Sequence, residues 1–261
     1  MEYQDIRYEV EAPNAIITID RPERRNAFRG RTIGELLHAF KRAWDDSDVA
    51  CVIFTGAGNR AFCAGGDQKE FVESGSYGTS ENGLWELEDL QLAIRNIPKP
   101  VIAAVNGFAI GGGHVLHVLC DVSIAAEHAV FGQAGPKVAS FDAGFGTAYL
   151  TRVLGEKRAR EIWFFCRQYD AQTALEWGLV NKVVPAEALL DEAKRWGRET
   201  AALSPTAIRF LKAAFNADSD QIFGQGKLAF AGLEAFSDSA EAHEGHGAFV
   251  EKRPADFSPF R

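Results

Sequence analysis

An α/β fold of stacked ββα units, closed by a helical tail, is predicted by three features of the 261-residue sequence. Short β-branched runs recur along the chain, glycine turns leading into helical stretches separate them, and strand candidates stop after Pro185. Mixed order at the front and helices only at the end suit one α/β core with a helical appendage. The boundary is placed near residue 200, giving a core over 1–200 and a helical region over 201–261.

Each element has its own signal. Ala15 to Ile19 is a β-branched run ending at Asp20-Arg21-Pro22, hence a strand entering a turn. Ile33, Leu36, Leu37, Phe40 and Trp44 fall at helical spacing, so Thr32 to Trp44 is an amphipathic helix. Val49 to Thr55 is a buried strand, and Ala61 to Gln68 a glycine-rich loop. The helix Trp85 to Ile97 stops at Pro98-Lys99-Pro100. The pattern repeats with a strand Val101 to Val105, the turn Gly111-Gly112-Gly113, a helix His114 to Cys120, and strands Val122 to Ala125 and Ala129 to Phe131. Ala186 to Ala202, Pro205 to Ala217 and Gln221 to Lys252 read as helices.

Composition excludes some functions. A net charge of -8 argues against binding a polyanion, so no nucleic-acid partner is expected. No run of about 18 apolar residues occurs, so no membrane span is expected. The N-terminus is charged from its second residue and lacks the apolar core of a secretory signal. The four cysteines show neither CxxC pairing nor metal-ligand spacing, and Cys51 and Cys120 read as buried thiols, which suits a reducing cytoplasm. No metal is expected.

Gly65-Gly66 and Gly111-Gly112-Gly113 each join a strand to a helix. Glycine lets a ligand approach the backbone without a Cβ in the way, and the first amides of a helix are unpaired at the positive end of its dipole. Two such amides converging on one oxygen would stabilise a developing oxyanion. Two ordinary tight turns would carry the same residues. Neither loop matches GxGxxG or the Walker pattern, so nucleotide readings have no support.

Phe62-Cys63-Ala64-Gly65-Gly66-Asp67 together with Ile110-Gly111-Gly112-Gly113, Cys120-Asp121 and Phe131-Gly132-Gln133 resembles the crotonase (enoyl-CoA hydratase/isomerase) superfamily. The resemblance runs from about residue 5 to the end. It implies a ClpP-like spiral of ββα units, a helical C-terminal trimerisation region, and a homotrimer or homohexamer. It implies an acyl-coenzyme A substrate, with coenzyme A as part of that substrate and no tightly bound cofactor. Gly66 and Gly112 would hold the thioester oxygen. Arg25 and Ala27 would line the coenzyme A path, as would Ala64, Gly65, Asp67, Gln68 and Lys69, with Lys252 reaching in from a neighbouring subunit. The alternative for Arg24 and Arg25 is a pair of solvated charges after a turn.

Hydratases of this family use two glutamates, and the matching positions here are Val115 and Gly135. Neither transfers a proton, so hydration is not expected. Downstream, Ser140 and Asp142 lie two apart; in extended backbone both would face one side, where a desolvated carboxylate beside a hydroxyl can relay protons. A turn whose Ser and Asp bond their own backbone is the alternative.

This stretch, with Arg160-Glu161-Ile162-Trp163 and Cys166-Arg167-Gln168-Tyr169, resembles two sister groups. One is 1,4-dihydroxy-2-naphthoyl-CoA synthase, which closes a ring by intramolecular Claisen condensation. The other is 2-ketocyclohexanecarboxyl-CoA hydrolase, which opens a β-keto ring. In the synthases with Gly at the position of Gly135, bicarbonate serves as base, and Gln133 and Trp163 match residues lining its site. Ala134 stands where a threonine is usual. Trp85-Glu86-Leu87-Glu88 departs from the synthase's aromatic-recognising segment, and Ser237, beside Phe236, replaces its C-terminal tyrosine. Gly83-Leu84 and Asn26-Ala27-Phe28-Arg29-Gly30 look more like the hydrolase, so ring opening is the expected reaction, with ring closure or a non-catalytic coenzyme A-binding homologue as the alternatives.

His114 and His117 share a helix without a third ligand, which points to packing rather than a metal. His243 and His246 read as residues of a solvated face or a subunit contact. Tyr77 lies in a Gly/Ser-rich segment, Ser74 to Gly83, that would either close over the acyl pocket or form a plain surface loop.

Overall fold

The computed structural model describes residues 2–141 and 144–261. The chain opens with β1 (Ile6–Glu11) and β2 (Asn14–Ile19), an antiparallel hairpin, followed by α1 (Gly30–Asp45). β1 has no apolar run because it is an edge strand, largely open to solvent beyond Ile6.

Then come three strand pairs. β3 (Cys51–Gly56) and β4 (Ala61–Cys63) lead through the first glycine loop to α2 (Gln68–Ser74) and α3 (Leu87–Asn96). β5 (Val101–Val105) and β6 (Phe108–Ile110) lead through the second to α4 (Gly112–Leu119). β7 (Val122–Ala126) and β8 (Val130–Gly132) lead to α5 (Gly146–Leu154). The first strand of each pair joins one sheet and the second joins another, which makes the succession a spiral of ββα units. The remaining elements are α6 (Glu156–Phe165), β9 (Gln168–Asp170), α7 (Ala171–Glu176), β10 (Lys182–Val184), α8 (Leu189–Ala201), α9 (Pro205–Ala217), α10 (Ile222–Ser237) and α11 (Ala240–Glu251).

The larger sheet has order β1-β2-β3-β5-β7-β10, parallel except at β1–β2, and the smaller has order β4-β6-β8-β9. Side-chain alternation divides the core. Val52, Phe54, Val101, Ala103 and Val105 join α1 and α3 on one face, while Cys51, Ile53, Ile102 and Ala104 meet Leu189 and Ala193 of α8 on the other. Strands covered on both faces must be apolar throughout, which is why β3 and β5 stand out in the sequence.

The stretch 221–252, expected as one helix, is two. Ser239 takes extended backbone angles and its hydroxyl accepts from Ala242 N–H, starting α11 afresh. α9 is anchored to the core by buried Lys212, whose Nζ donates to Ile94 O (3.2 Å), Lys99 O (3.0 Å) and the Asp121 carboxylate (2.7 Å). Among the described residues, no helix is long and apolar enough to cross a membrane.

Candidate active site at two glycine loops

The first glycine loop runs beside residues 25–28. Ala64 N–H donates to Arg25 O (3.2 Å), Phe28 N–H to Gly65 O (2.8 Å), and Asp67 N–H to Phe28 O (2.8 Å). Phe28 therefore bonds to the residues on either side of Gly66, and Gly66 turns its own N–H away from this partner. Gly112 is the first residue of α4, where a backbone N–H has no intrahelical acceptor. Among the described residues, neither of these N–H groups has a hydrogen-bond acceptor.

The two loops touch. A Cβ on Gly65, which has φ 90°, would lie 3.1 Å from Ile110 O and 3.2 Å from Gly112 N. Gly113 is pressed against Cys63, whose carbonyl oxygen would lie 2.0 Å from a Cβ there. β4 and β6 pair in parallel, so their C-terminal ends deliver both glycine loops to one place. That placement sets two amides that have no acceptor among the described residues on neighbouring loops; amides that converge on one point can hold an anionic oxygen.

Aromatic rings cover both glycines. A Cβ at Gly66 would meet the Tyr77 ring at 2.7 Å, and one at Gly112 would meet the Phe28 ring at 2.6 Å. Trp85 bridges the two, stacked on Tyr77 at 5.6 Å between centroids and 6.3 Å from Phe28. Gly30 N–H donates to Tyr77 O (2.7 Å), docking the 75–80 segment onto the start of α1. Burial pushes the Tyr77 phenol up to about 12, so it stays protonated at neutral pH. The segment carrying Tyr77 therefore lies over the first glycine loop.

Asp67 is buried with its oxygens committed. Oδ1 caps α2 by accepting from Lys69 N–H (3.2 Å) and Glu70 N–H (3.3 Å), and Oδ2 accepts from Arg21 Nη2 (3.0 Å). Arg21 also donates to Ala27 O and lies 3.6 Å from the Asp5 carboxylate. Asn26, fully buried, donates from Nδ2 to Ala57 O (3.0 Å) and Ala61 O (2.7 Å), while its Oδ1 accepts from Arg21 N–H (3.0 Å). Arg21 and Asn26 thus clamp the first loop. Neither stood out as a structural clamp in the sequence, where Arg21 was part of a turn and Asn26 part of the run resembling the hydrolase.

Gln133 follows β8, beside β6, and reaches α4. Its Nε2 lies 3.0 Å from His114 Nδ1, and His114 and His117 are fully buried with rings 5.7 Å apart. Burial pushes His114 down to about 4 and His117 well below the ordinary imidazole range, so both are neutral. Among the described residues, His114 Nε2, both His117 nitrogens and Trp163 Nε1 are buried without hydrogen-bond partners. Gly135 begins a tight turn closed by Ser140 N–H donating to Gly135 O (2.9 Å). A Cβ at Gly135 would lie 2.8 Å from Ser140 O. α6, which carries Trp163, packs on this turn, and Lys137 Nζ donates to Cys166 O (3.1 Å). Ser140 is half-buried, and Asp142 lies outside the described residues. Val115, in α4, is buried and apolar.

Of the expected coenzyme A contacts, Ala27 and Gly65 are buried, Ala64 and Gln68 are half-buried, and Arg25, Lys69 and Lys252 are exposed. Arg25 takes a left-handed conformation, φ 52°, and its guanidinium lies 5.9 Å from the Phe108 ring. Lys252 ends α11, also left-handed at φ 58°. His246 corrects the sequence expectation. It is 4% exposed, its Nδ1 meets Gln68 Oε1 at 2.5 Å, and its ring lies 4.2 Å from Phe71.

Residues 9–259 match the family model for enoyl-CoA hydratase/isomerase. Among solved structures, the carnitinyl-CoA hydratase from Mycobacterium avium is 32% identical with a TM-score of 0.87, over 99% of this chain and 100% of that one. The enoyl-CoA hydratase/isomerase from Pseudoalteromonas atlantica is 26% identical with a TM-score of 0.89, over 98% and 100%. The enoyl-CoA hydratase from Bacillus anthracis is 31% identical with a TM-score of 0.76, over 97% and 99%.

Proposed function

The chain belongs to the enoyl-CoA hydratase/isomerase family, whose crotonase fold it has, and within that family we propose that it uses a thioester enolate for carbon–carbon chemistry rather than for hydration. The observation that carries this is the pair Val115 and Gly135, standing where the family's hydratases place proton-transferring glutamates. The relatives' names speak of hydratases, but the chemistry of a site follows its side chains, not its fold.

The substrate is a cyclic β-ketoacyl-CoA, and the reaction is hydrolytic ring opening. Gly66 and Gly112 hold the thioester oxygen, so that when water attacks the ring ketone and the carbon–carbon bond breaks, the electron pair enters a stabilised enolate. The enolate carbon is then protonated, leaving a carboxylate and an open-chain thioester. Ser140 and Asp142 manage the water and its protons. Phe141, next to Ser140, lies ring to ring with Phe236 of α10 at 5.9 Å. Incubation with 2-ketocyclohexanecarboxyl-CoA, followed by mass spectrometry, should yield pimeloyl-CoA, and with Asp142→Asn this should fall sharply. Absence of pimeloyl-CoA at any enzyme concentration would remove this substrate.

A second reading is ring closure by a naphthoyl-CoA synthase, and the Trp163 indole N–H, without a partner among the described residues, favours it. Bicarbonate would find donors there and on Gln133, and would supply the base that Gly135 lacks. The test is cyclisation of o-succinylbenzoyl-CoA, accelerated by added bicarbonate.

Installing a glutamate at position 135 should not create a hydratase. Its Cβ would collide with the Ser140 carbonyl, so Gly135→Glu should lose about 1–3 kcal/mol of stability by overpacking and gain no crotonyl-CoA hydration. Thermal unfolding and a hydration assay check both halves.

The oligomer expected from the family fits the surface. Phe210, Leu211, Phe215, Leu228 and Phe249, on α9 to α11, are each more than half exposed and would be covered by neighbouring copies.

A further inference from the structure

Gln68 joins three groups that the sequence keeps apart. Its Oε1 lies 2.5 Å from His246 Nδ1 on α11, its Nε2 lies 2.9 Å from the Tyr77 hydroxyl, and the same Nε2 lies 3.5 Å from Gly66 O. The orientation of this amide follows from its surroundings. Were it turned over, Oε1 would face the Gly66 carbonyl oxygen, an acceptor against an acceptor. With Nε2 toward Gly66, Oε1 must face His246, and two facing atoms bond only if one carries a proton. His246 Nδ1 is therefore the protonated nitrogen.

The consequence reaches the tyrosine. Because Gln68 donates, the Tyr77 oxygen accepts, and its own proton remains free for another acceptor. The turned amide would instead take that proton for itself. Tyr77 Oη lies 3.1 Å from where a Cβ of Gly66 would stand, so the free proton is available beside the first oxyanion amide.

We propose that His246 is a positioning residue: its Nδ1–H fixes the Gln68 amide so that the Tyr77 hydroxyl offers its proton to the bound acyl group beside Gly66. This rests on the enolate reading only for its effect on turnover; the hydrogen-bond chain stands without it. The groups around His246 suit the role. Phe71 packs on the ring, and burial, with His243 on the same helix adding to it, pushes His246 down to about 4. The neutral ring thus persists across the physiological range. α11 packs on α2, so the C-terminal helical region adjusts the first glycine loop within one chain.

The test is a substitution pair. Asparagine can place an N–H near Nδ1, whereas leucine fills the site without a donor. The probe is 3-fluorotyrosine incorporated at all tyrosines, with the Tyr77 signal assigned by its loss in Tyr77→Phe and its titration followed by 19F NMR. His246→Leu should raise the Tyr77 midpoint by about one pH unit, since the Gln68 donation that favours the phenolate is lost. His246→Asn should leave it near wild type. Gln68→Leu reaches the same link from its other side and should match His246→Leu, which keeps the test valid if that variant folds poorly. On whichever acyl-CoA turns over, His246→Leu should lower kcat by about tenfold, a part of what a positioned acid supplies. KM should be unchanged, and the loss should vanish in a Tyr77→Phe background. Equal titration midpoints in all variants, or an undiminished kcat loss in Tyr77→Phe, would overturn the proposal. Loss of turnover on every substrate with the titration shifts intact would instead count against the enolate reading.

Discussion

Gly112→Pro should turn over about 10²- to 10³-fold more slowly than Gly112→Ala, the usual cost of losing one oxyanion donor. The pair separates two roles of one residue. Either substitution adds a Cβ, which would meet the Phe28 ring at 2.6 Å and force that ring to move. Only proline also deletes the N–H. Proline is well accepted at the first position of a helix, where the amide has no intrahelical partner, so α4 should survive. Steady-state kinetics on both variants, with circular dichroism to confirm the helix, gives the answer. Equal losses in the two would assign the whole effect to Phe28.

Arg21→Leu should be the most destabilising single change near the site, by about 3–5 kcal/mol. Arg21 is buried and binds buried Asp67 at 3.0 Å, with Asp5 at 3.6 Å. Removing it strands the Asp67 charge in the interior and frees the loop that carries Gly66. Urea unfolding measures the loss directly. Its pH dependence adds a second check. Burial pushes the Asp5 carboxyl up, but hydrogen bonds from Arg29 and Thr32 and the charges of Arg21 and Arg29 outweigh this, leaving it below the ordinary carboxylate range. A carboxyl lowered in the folded state contributes stability above its unfolded pKa of about 4, and that contribution is lost as pH falls through the folded value. With Arg21 gone, one lowering charge disappears, and acid unfolding should begin at higher pH than in wild type.

Much of the fold was legible because its signals are local. β3 and β5 are covered on both faces and so read as unbroken apolar runs, while α1 carries its apolar face at helical spacing. Strands of three residues, such as β4, β6 and β9, are too short to show any period, and they hold together only through pairing with distant partners. β4 was accordingly absorbed into a glycine loop. The two glycine loops were legible as strand-to-helix turns because missing side chains are visible in a sequence. Their convergence was legible only through resemblance, since it depends on β4 and β6 lying side by side. His246 shows the opposite case. A histidine among glutamates on a helix looks solvated until α11 is laid on α2, and nothing in its own neighbourhood foretells Gln68 as its partner. Arg21 and Asn26 were hidden for the same reason, since their partners at Asp67, Ala57 and Ala61 lie some tens of residues away.

The most direct measurement concerns the thioester carbonyl itself. An acyl-CoA labelled with 13C at the carbonyl, unreactive because its chain is saturated and lacks a β-keto group, can be bound at saturation and observed by NMR. If Gly66 and Gly112 both donate to its oxygen, the carbonyl resonance should move downfield on binding, keep that shift in Gly112→Ala, and lose a large part of it in Gly112→Pro. A carbonyl that binds with no shift, or whose shift is intact in Gly112→Pro, would show that these two amides do not hold the oxygen.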